Sequence, residues 1–375
     1  MTISIETPVA IIGGGLSGLY TAYLLQQQGI ECTVFEARDR LGGRIMSMSP
    51  SKREQGIALE IERYDLGPSW FWPDMQPHID KLVKDLKLTA FPQHQTGAHL
   101  FDQGRGIEPH RHEIGRASSP LSMRLSGGML SLIEALTLQL PVGTIKLNHQ
   151  ASKIKFEASG SIILKMSGNI TTVIAQHVIL ALPLRLVSNT IQFTPALPES
   201  VLRHCQNTKT WMAAHAKFVA VYDEPFWRHQ GLSGSVSSQT GPLVEIHDAS
   251  SLHGKPALFG FVGINATARK AAGRKALMQV ILNQLSDLFG EQAAKPVDTF
   301  LTDWSEEAFT STAQDQVASN SHPVYGLPAS ADDLWKGRLL FAGTESARIA
   351  GGYLEGALEA AELATKKLTS SYSKL

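Results

Sequence analysis

The chain has 375 residues, a length that favours two domains over a single core. Apolar residues make up 43% and charged residues 18%, as is typical of a globular protein, and the formal net charge of zero provides no field that would recruit nucleic acid or an acidic membrane surface. The two cysteines are too few for a disulfide framework, and no signal-peptide pattern or apolar run of about 20 residues is present, so we expect a cytoplasmic protein without a membrane span.

The first recognisable pattern is a glycine-rich loop between a strand and a helix. Residues 9–12 are a short apolar run, followed by Gly13-x-Gly15-x-x-Gly18, a helical pattern and a second strand that ends at Glu36. This spacing permits a tight turn, a close approach of backbone amides to a pyrophosphate, and close packing of helix on strand, while the acid at the strand end can accept ribose hydroxyls. The pattern therefore predicts a dinucleotide-binding unit.

The residues that follow the second strand favour FAD over NAD. The segment "EARDRLGGR" adds a second close backbone approach at Gly42 and Gly43, and Arg44 supplies a forked cation for a pyrophosphate. A simple NAD-binding domain would not need this additional basic loop.

Several segments of the chain resemble the flavin-containing amine oxidase family. This family includes monoamine, polyamine and L-amino-acid oxidases, with relatives among phytoene desaturases and protoporphyrinogen oxidases. Besides residues 9–44, the matching segments are YDLGPSWFW (64–72), SGGMLSLIEAL (126–136), VILALPL (178–184), HAKFVAVYDEPFWR (215–228) and FAGTE…GGYLEGALEA (341–360). The resemblance implies an α/β fold in which an FAD-binding Rossmann-like (GR2-type) domain carries an inserted α+β substrate-binding domain.

The domain limits expected from this resemblance are discontinuous. Residues 1–75, 122–205 and 306–375 would form the FAD-binding domain, with a β-meander around residues 145–180. Residues 76–121 and 206–305 would form the substrate-binding domain, in which 273–290 reads as an amphipathic helix.

The resemblance also implies which residues hold FAD. The N-terminal loop would bind the ADP half, and the C-terminal helix would direct its positive end at the flavin ring. Cys32 and Cys205 lie outside the matching segments, so we expect the FAD to be non-covalent. The expected cofactor-binding residues are Gly13, Gly15, Gly18, Glu36, Arg38, Gly43, Arg44, Gly67, Ser69, Trp70, Ala151, Gly343, Glu345 and Gly352.

Two residues are the candidates for a catalytic role. From the residues alone, Lys217 in the apolar strand "AKFVAVY" could extend its ammonium to water. The resemblance instead implies that Lys217 holds a water beside the reactive flavin nitrogen, with a pKa lowered by burial. Tyr353 would form one wall of an aromatic cage for the amine.

The second wall of that cage is where the sequence departs from the family. An ungapped alignment from Trp304 places Ala313 at the position of the flavin-linking cysteine of monoamine oxidases and Gln314 at that of the second cage tyrosine. We therefore treat Gln314 as a substrate-binding candidate and expect Trp70, Trp72 or Trp211 to supply another wall.

The predicted function is oxidation of a C–N bond in a small amine, with O2 as the electron acceptor and hydrogen peroxide as a product. Two alternatives remain open: an FAD-dependent desaturase or oxidase of a carbon–carbon bond, and a flavin-holding protein without catalytic activity. The pair His110-x-His112 could suggest a metal, but no third ligand follows at useful spacing, so we expect a solvated polar loop and no metal.

Overall fold

The computed structural model describes residues 3–50, 62–104, 106–113, 120–167, 171–319 and 321–372. Its strands, in chain order, are β1 (Ile3–Ile12), β2 (Cys32–Phe35), β3 (Ser47–Met48), β4 (Tyr64–Asp65), β5 (Ala90–Pro92), β6 (Ala98–Asp102), β7 (His110–Glu113), β8 (Met123–Leu125), β9 (Ile145–Lys146), β10 (Gln150–Phe156), β11 (Ile162–Ser167), β12 (Thr171–Leu180), β13 (Gln192–Thr194), β14 (Ala216–Val221), β15 (Leu232–Ser238), β16 (Leu243–Asp248), β17 (Ala257–Val262), β18 (Asp298–Asp303) and β19 (Leu339–Phe341). Its helices are α1 (Leu16–Gln27), α2 (Pro77–Asp85), α3 (Leu130–Leu138), α4 (Leu184–Thr190), α5 (Glu199–Asn207), α6 (Phe226–His229), α7 (Ala266–Ala272), α8 (Arg274–Phe289) and α9 (Leu354–Tyr372).

The first sheet has a parallel centre with an antiparallel extension. Its strand order is β13-β10-β11-β12-β1-β2-β9, and β19 pairs with the end of β12. Strand β1 is parallel to both β2 and β12, whereas β10, β11 and β12 form an antiparallel meander. The expected meander is thus confirmed for β10–β12 but not for β9, which pairs in parallel with β2 at the opposite side of the sheet.

Apolar side chains cover both faces of this sheet. Along β1, Val9 and Ile11 belong to a core with α1, α3 and α9, while Ala10 and Ile12 belong to a core with α4 and α5 on the other face. A strand that is apolar on both faces suits a parallel strand buried between helical layers. Because β1 and β19 are both parallel to β12, their carboxyl ends lie at the same edge of the sheet. Ligands of open α/β sheets bind at this edge.

The second sheet has the order β18-β14-β17-β16-β15-β6-β7. One face packs on α8, which begins after Gly273 and ends before Gly290, confirming the amphipathic helix predicted there. The other face, which includes Val219 and Phe259, packs against Tyr64 and Leu66 in the segment that follows the first nucleotide-binding loop.

The expected domain limits remain a prediction. Helix α2, which the sequence assigned to the substrate-binding domain, places Ile79, Leu82 and Val83 in the core shared by α1 and α9 of the first sheet. The segment at His110 is an exposed edge strand, β7, rather than the loop that was expected. Among the described helices, none has the length and apolar character needed to cross a membrane.

Candidate active site

A cleft of about 650 Å³ lies between the two sheets. Most of the residues predicted from the sequence line it, although they come from segments far apart in the chain. They are Gly13, Gly15, Glu36, Arg38, Gly43, Arg44, Gly67, Ser69, Trp70, Trp72, Ala151, Trp211, Lys217, Gly343, Gly352 and Tyr353.

The glycine loop gives one end of the cleft a wall made of backbone. Gly13 has a φ of +113°, a conformation that L side chains rarely adopt, and α1 begins two residues after Gly14. Gly18 does not line the cleft, because it packs inside α1 against the strand end: a Cβ there would lie 1.9 Å from the carbonyl oxygen of Gly13. Gly18 therefore contributes the close packing of helix on strand that the spacing predicts, and it supports the cofactor-binding loop without lining the cleft.

Glu36 lies beside this loop and is 4% exposed. Its Oε2 accepts the amide of Gly14 at 2.7 Å, and its Oε1 accepts the amide of Arg38 at 2.9 Å. Each carboxylate oxygen retains a lone pair that could accept a sugar hydroxyl from the cleft. Arg38 is itself held by Thr310, whose Oγ1 accepts from Nη2 at 2.9 Å.

Arg44 and Glu345 form the most unusual pair in the cleft. Arg44 Nη1 lies 2.8 Å from Glu345 Oε1, and Glu345 is 0% exposed. The contact lies outside hydrogen-bond geometry, because neither oxygen of Glu345 nor Arg44 Nη1 has a hydrogen-bond partner among the described residues. A buried carboxylate without donors is costly unless a ligand supplies them. Glu345 lies behind Arg44 rather than on the cleft wall.

These features fit FAD. The backbone wall and Arg44 suit a pyrophosphate, and Glu36 suits a ribose. Glu345 is fully buried and absent from the described lining, which corrects its expected direct contact with the cofactor. On the opposite side, β19 leads through Gly343 to α9, which starts at Leu354 directly after Gly352 and Tyr353. The amide of Gly352 donates to Thr344 Oγ1 at 2.9 Å, fixing the loop that precedes the helix.

Lys217 lies on β14, the second strand from one edge of the second sheet, and is 2% exposed. Its Nζ donates to the carbonyl oxygen of Gly67 at 3.0 Å and contacts Ser69 Oγ at 2.6 Å. The same nitrogen lies 4.0 Å from the centroid of the Phe259 ring. Burial lowers the pKa of Lys217 to about 7; the nearby carboxylate of Asp65 opposes this shift, and the cation Arg124 adds a smaller lowering.

The lysine therefore does not reach out to water. Segment 64–72 and β14 fix its amine in the cleft wall, with two polar partners and an aromatic face around it. A lysine with a pKa near neutrality can take up and give back a proton at working pH, which an ordinary surface lysine cannot do.

Aromatic rings surround the other end of the cleft. Tyr353 is 37% exposed and contacts Trp72 edge to face, with 6.4 Å between the ring centroids. His322 stacks on Tyr353 at 4.9 Å with an interplanar angle of 8°, and it also lies 4.6 Å from Trp211. Trp70 lies further in, beside Phe259. Trp70, Trp72 and Trp211 all line the cleft, and the second cage wall expected from one of them stays a prediction. His322 is a neighbour of Tyr353 that the sequence did not indicate.

Gln314 is not placed in the cleft. It is exposed on the short helical turn Ala313–Asp315, and its carbonyl oxygen accepts Arg185 Nη1 at 3.1 Å. Asp315 closes this turn through a capping box with Thr312, and its carboxylate pairs with the buried Arg185. These contacts hold the segment away from Tyr353, so the ungapped alignment that assigned Gln314 to substrate binding is corrected.

Other candidates lie elsewhere. Cys32 is half-buried in β2 and Cys205 is buried in α5, and neither is among the described residues that line the cleft. Burial raises the pKa of each thiol to about 12. His110 and His112 are exposed, and the described residues include no cluster of three or more metal-ligating side chains.

Comparison with known proteins identifies the family. The model of the family "Flavin containing amine oxidoreductase" matches residues 110–368, and that of "NAD(P)-binding Rossmann-like domain" matches residues 11–86. A probable flavin-containing monoamine oxidase A of Dictyostelium discoideum is 22% identical over 466 residues, covering 96% of this chain and 97% of that protein. Putrescine oxidase of Kocuria rosea is 26% identical over 416 residues, covering 82% and 84%.

Solved structures show the same fold. A putrescine oxidase variant superposes with a TM-score of 0.80 at 20% identity, covering 98% of this chain and 100% of that chain. Cyclohexylamine oxidase from Brevibacterium oxydans superposes with a TM-score of 0.79 at 19% identity and the same coverage. The predicted α/β fold with a Rossmann-like FAD-binding domain is confirmed. The chain is an FAD-dependent oxidoreductase that belongs to the flavin-containing amine oxidoreductase family.

Proposed function

We propose that this protein oxidises a small amine at the carbon next to nitrogen, using O2 as the electron acceptor. The observation that carries the proposal is that Lys217 and Tyr353 meet the same cleft as the dinucleotide loop. The reaction converts an amine and O2 into an imine and hydrogen peroxide, and water then hydrolyses the imine. When bound, FAD supplies the two-electron chemistry.

The protein's part in this reaction is to orient the amine and to manage a proton. The rings of Tyr353, Trp72 and Trp211 favour an amine nitrogen against their π faces and exclude bulk water. Gly67 and Ser69 fix the direction of the Lys217 amine. With a pKa of about 7, Lys217 can hold a proton or a water at Nζ close to the reacting atoms.

The names of the similar proteins span several substrates. They include putrescine, cyclohexylamine and the monoamines, so these names favour an amine without naming one for this chain. Replacement of the second cage tyrosine by Gln314 would favour the alternative of a carbon–carbon oxidase, but Gln314 is exposed on a turn instead of lining the cleft. Family membership favours an enzyme over a flavin-holding protein without activity.

The experiment that tests the proposal measures oxygen consumption and peroxide formation by the FAD-loaded protein with a panel of amines. We expect peroxide to form in a one-to-one ratio with the oxygen consumed. Lys217→Met should abolish most of this activity, whereas Lys275→Met, at an exposed position on α8, should leave it unchanged. Oxygen consumption that no amine stimulates would contradict the proposal.

We also propose that the FAD is held without a covalent bond. Both cysteines lie outside the described cleft lining, and their thiols are held protonated by burial. Acid precipitation of the holoprotein should release all of the flavin into the supernatant. Flavin that stays with the protein pellet after denaturation would show a covalent link and contradict this part of the proposal.

A further inference from the structure

The amine of Lys217 is enclosed by three groups that differ in what they can do with a proton. The carbonyl oxygen of Gly67 lies 3.0 Å from Nζ, Ser69 Oγ lies 2.6 Å away, and the centroid of the Phe259 ring lies 4.0 Å away. A carbonyl oxygen and a ring face accept hydrogen bonds, whereas a hydroxyl both accepts and donates them. Ser69 is therefore the one contact of the three through which the amine can pass a proton onward.

The same contacts determine how a neutral Lys217 amine is oriented. A neutral amine has two N–H groups and one lone pair. Gly67 and the Phe259 ring can take the two N–H groups, so the lone pair is left for the hydroxyl proton of Ser69. A protonated amine has no lone pair, so Ser69 Oγ then becomes the acceptor and releases its own proton to another partner. Each change in the protonation of Lys217 thus reverses the direction of its hydrogen bond with Ser69.

Ser69 is placed to carry a proton between this amine and the cleft. It is 5% exposed, it lines the cleft, and its hydroxyl has Lys217 as its hydrogen-bond partner among the described residues. The loop that carries Ser69 is held in place, because the carbonyl oxygen of Leu66 accepts Trp304 Nε1 at 3.0 Å. The hydroxyl oxygen therefore stays beside Lys217, while its proton can turn towards a ligand in the cleft.

The charged groups near Lys217 have other partners. Asp65 raises the pKa of the lysine, but its Oδ1 accepts the hydroxyl of Ser47 at 2.6 Å. Arg124 lowers that pKa and donates to two backbone carbonyl oxygens, at 2.8 and 3.0 Å. Burial is the dominant cause, and the pKa of Lys217 is about 7, so both protonation states of the lysine are populated at neutral pH.

We propose that Ser69 is a further proton-transfer residue, which takes a proton from the ammonium form of the substrate and passes its own hydroxyl proton to Lys217. This inference rests on the proposed function, because it assigns a residue to the proton step that precedes amine oxidation. A substrate N–H bond breaks as that hydrogen bonds to Ser69 Oγ, while the Ser69 O–H bond breaks as its hydrogen bonds to Lys217 Nζ. The products are a neutral amine and a lysine ammonium, so atoms and charge balance.

The test uses two amines that differ in their charge in water at neutral pH. Butylamine arrives as an ammonium and needs the transfer, whereas 2,2,2-trifluoroethylamine is weakly basic, arrives neutral and does not need it. The rate at which the visible flavin band is lost under anaerobic conditions is measured for the FAD-loaded wild-type protein, Ser69→Ala and Ser69→Thr. Ser200→Ala, which removes an exposed hydroxyl on α5, is the matched control. Each rate is divided by the wild-type rate with the same amine, so the intrinsic reactivity of the amine cancels.

We expect Ser69→Ala to slow the oxidation of butylamine about 10- to 100-fold and to leave that of trifluoroethylamine unchanged. The larger figure is the low end of the contribution of a general base, because water can replace part of what the hydroxyl does. Ser69→Thr keeps a hydroxyl and should restore most of the rate with butylamine. Ser200→Ala should match the wild-type protein with both amines.

A second measurement, on the apoprotein, shows whether Lys217 itself is unaltered in the Ser69→Ala variant. The free energy of unfolding of Ser69→Ala minus that of Lys217→Met should still decrease as the pH is lowered from 9.5 to 7, because the lysine remains buried. A loss of this pH dependence would show that Ser69 merely holds the lysine in place, and it would overturn the inference.

The outcomes of the rate measurements separate the inference from the proposed function. If Ser69→Ala slows both amines equally, or neither of them, amine oxidation stands and the role of Ser69 is overturned. The role is also overturned if Ser69→Thr is as slow as Ser69→Ala, because the hydroxyl is then not the group that matters. If neither amine reduces the flavin of the wild-type protein, the proposed oxidation is contradicted, and the proton transfer that rests on it falls as well.

Discussion

The two halves of the cleft are built in different ways. The dinucleotide half consists of backbone and of charges fixed by the backbone: Gly13 and Gly15 form a wall, and two amides hold Glu36. The substrate half consists of side chains from separate elements, with Lys217 from a strand and Tyr353 from the start of a helix. Backbone geometry recognises a ligand that does not vary, whereas side chains can change substrate without disturbing the fold.

Substitution of Lys217 should have the largest effect in the substrate half. Lys217→Met replaces the buried amine with an apolar chain of similar length, removing the group that holds the proton. Turnover should fall by about 100- to 10,000-fold, the range for loss of a general acid or base. Stopped-flow kinetics on the FAD-loaded variant measures this, with flavin content as the control. Unchanged flavin content together with wild-type turnover would remove Lys217 from the mechanism.

The buried lysine should also make stability depend on pH. Its pKa is about 7 in the folded protein against 10.5 for a free side chain, so the unfolded chain binds this proton more tightly. Folding stability should therefore fall as pH decreases from about 10.5 to 7 and be unaffected by this group below 7. Lys217→Met removes this pH dependence. The free energy of unfolding of the variant minus that of the wild type should therefore increase by roughly 3 kcal/mol when the pH is lowered from 9.5 to 7.

This prediction is checked by urea unfolding of the apoprotein at the two pH values. Lys275→Met serves as the matched control, because that lysine is exposed on α8. A stability difference between Lys217→Met and wild type that does not change with pH would show that Lys217 keeps an ordinary pKa.

Substitution of Arg44 tests the dinucleotide half. Arg44→Ala removes the cation beside the buried Glu345 and leaves that carboxylate without a counter-charge. The Kd for FAD should rise about 10- to 100-fold, since an ionic hydrogen bond contributes roughly 1.5–3 kcal/mol. Fluorescence titration of the apoprotein with FAD measures the change. Arg203→Ala, at an exposed position on α5, should leave the Kd unaltered, and equal affinity in both variants would argue against Arg44 as a pyrophosphate ligand.

The smallest expected effect concerns His322. His322→Ala removes the ring stacked on Tyr353 but leaves Trp72 against the edge of that tyrosine. The KM for an amine should rise about threefold with little change in kcat, because one stacking contact contributes about 0.5–1.5 kcal/mol. His322→Phe should restore the wild-type KM. A large fall in kcat would instead give His322 a direct part in the chemistry.

The dinucleotide half could be predicted largely from the sequence because its determinants are local. Gly13, Gly15 and Glu36 lie within one strand–helix–strand unit, so their spacing alone predicts their geometry. The substrate half depends on contacts between distant segments. His322 meets Tyr353 and Trp211 only after three parts of the chain have folded together.

Gln314 was misplaced because a short alignment cannot foresee the turn that Asp315 and Arg185 close. Strand register and loop closure are tertiary properties, which local spacing does not determine.

The most direct test of amine oxidation in this cleft is an anaerobic absorption spectrum of the FAD-loaded protein before and after addition of an amine. We predict that the visible flavin band disappears with a small primary amine, and that it returns when O2 is admitted, together with the formation of hydrogen peroxide. A band that remains unchanged with monoamines, diamines and amino acids alike would contradict the claim that this cleft oxidises amines.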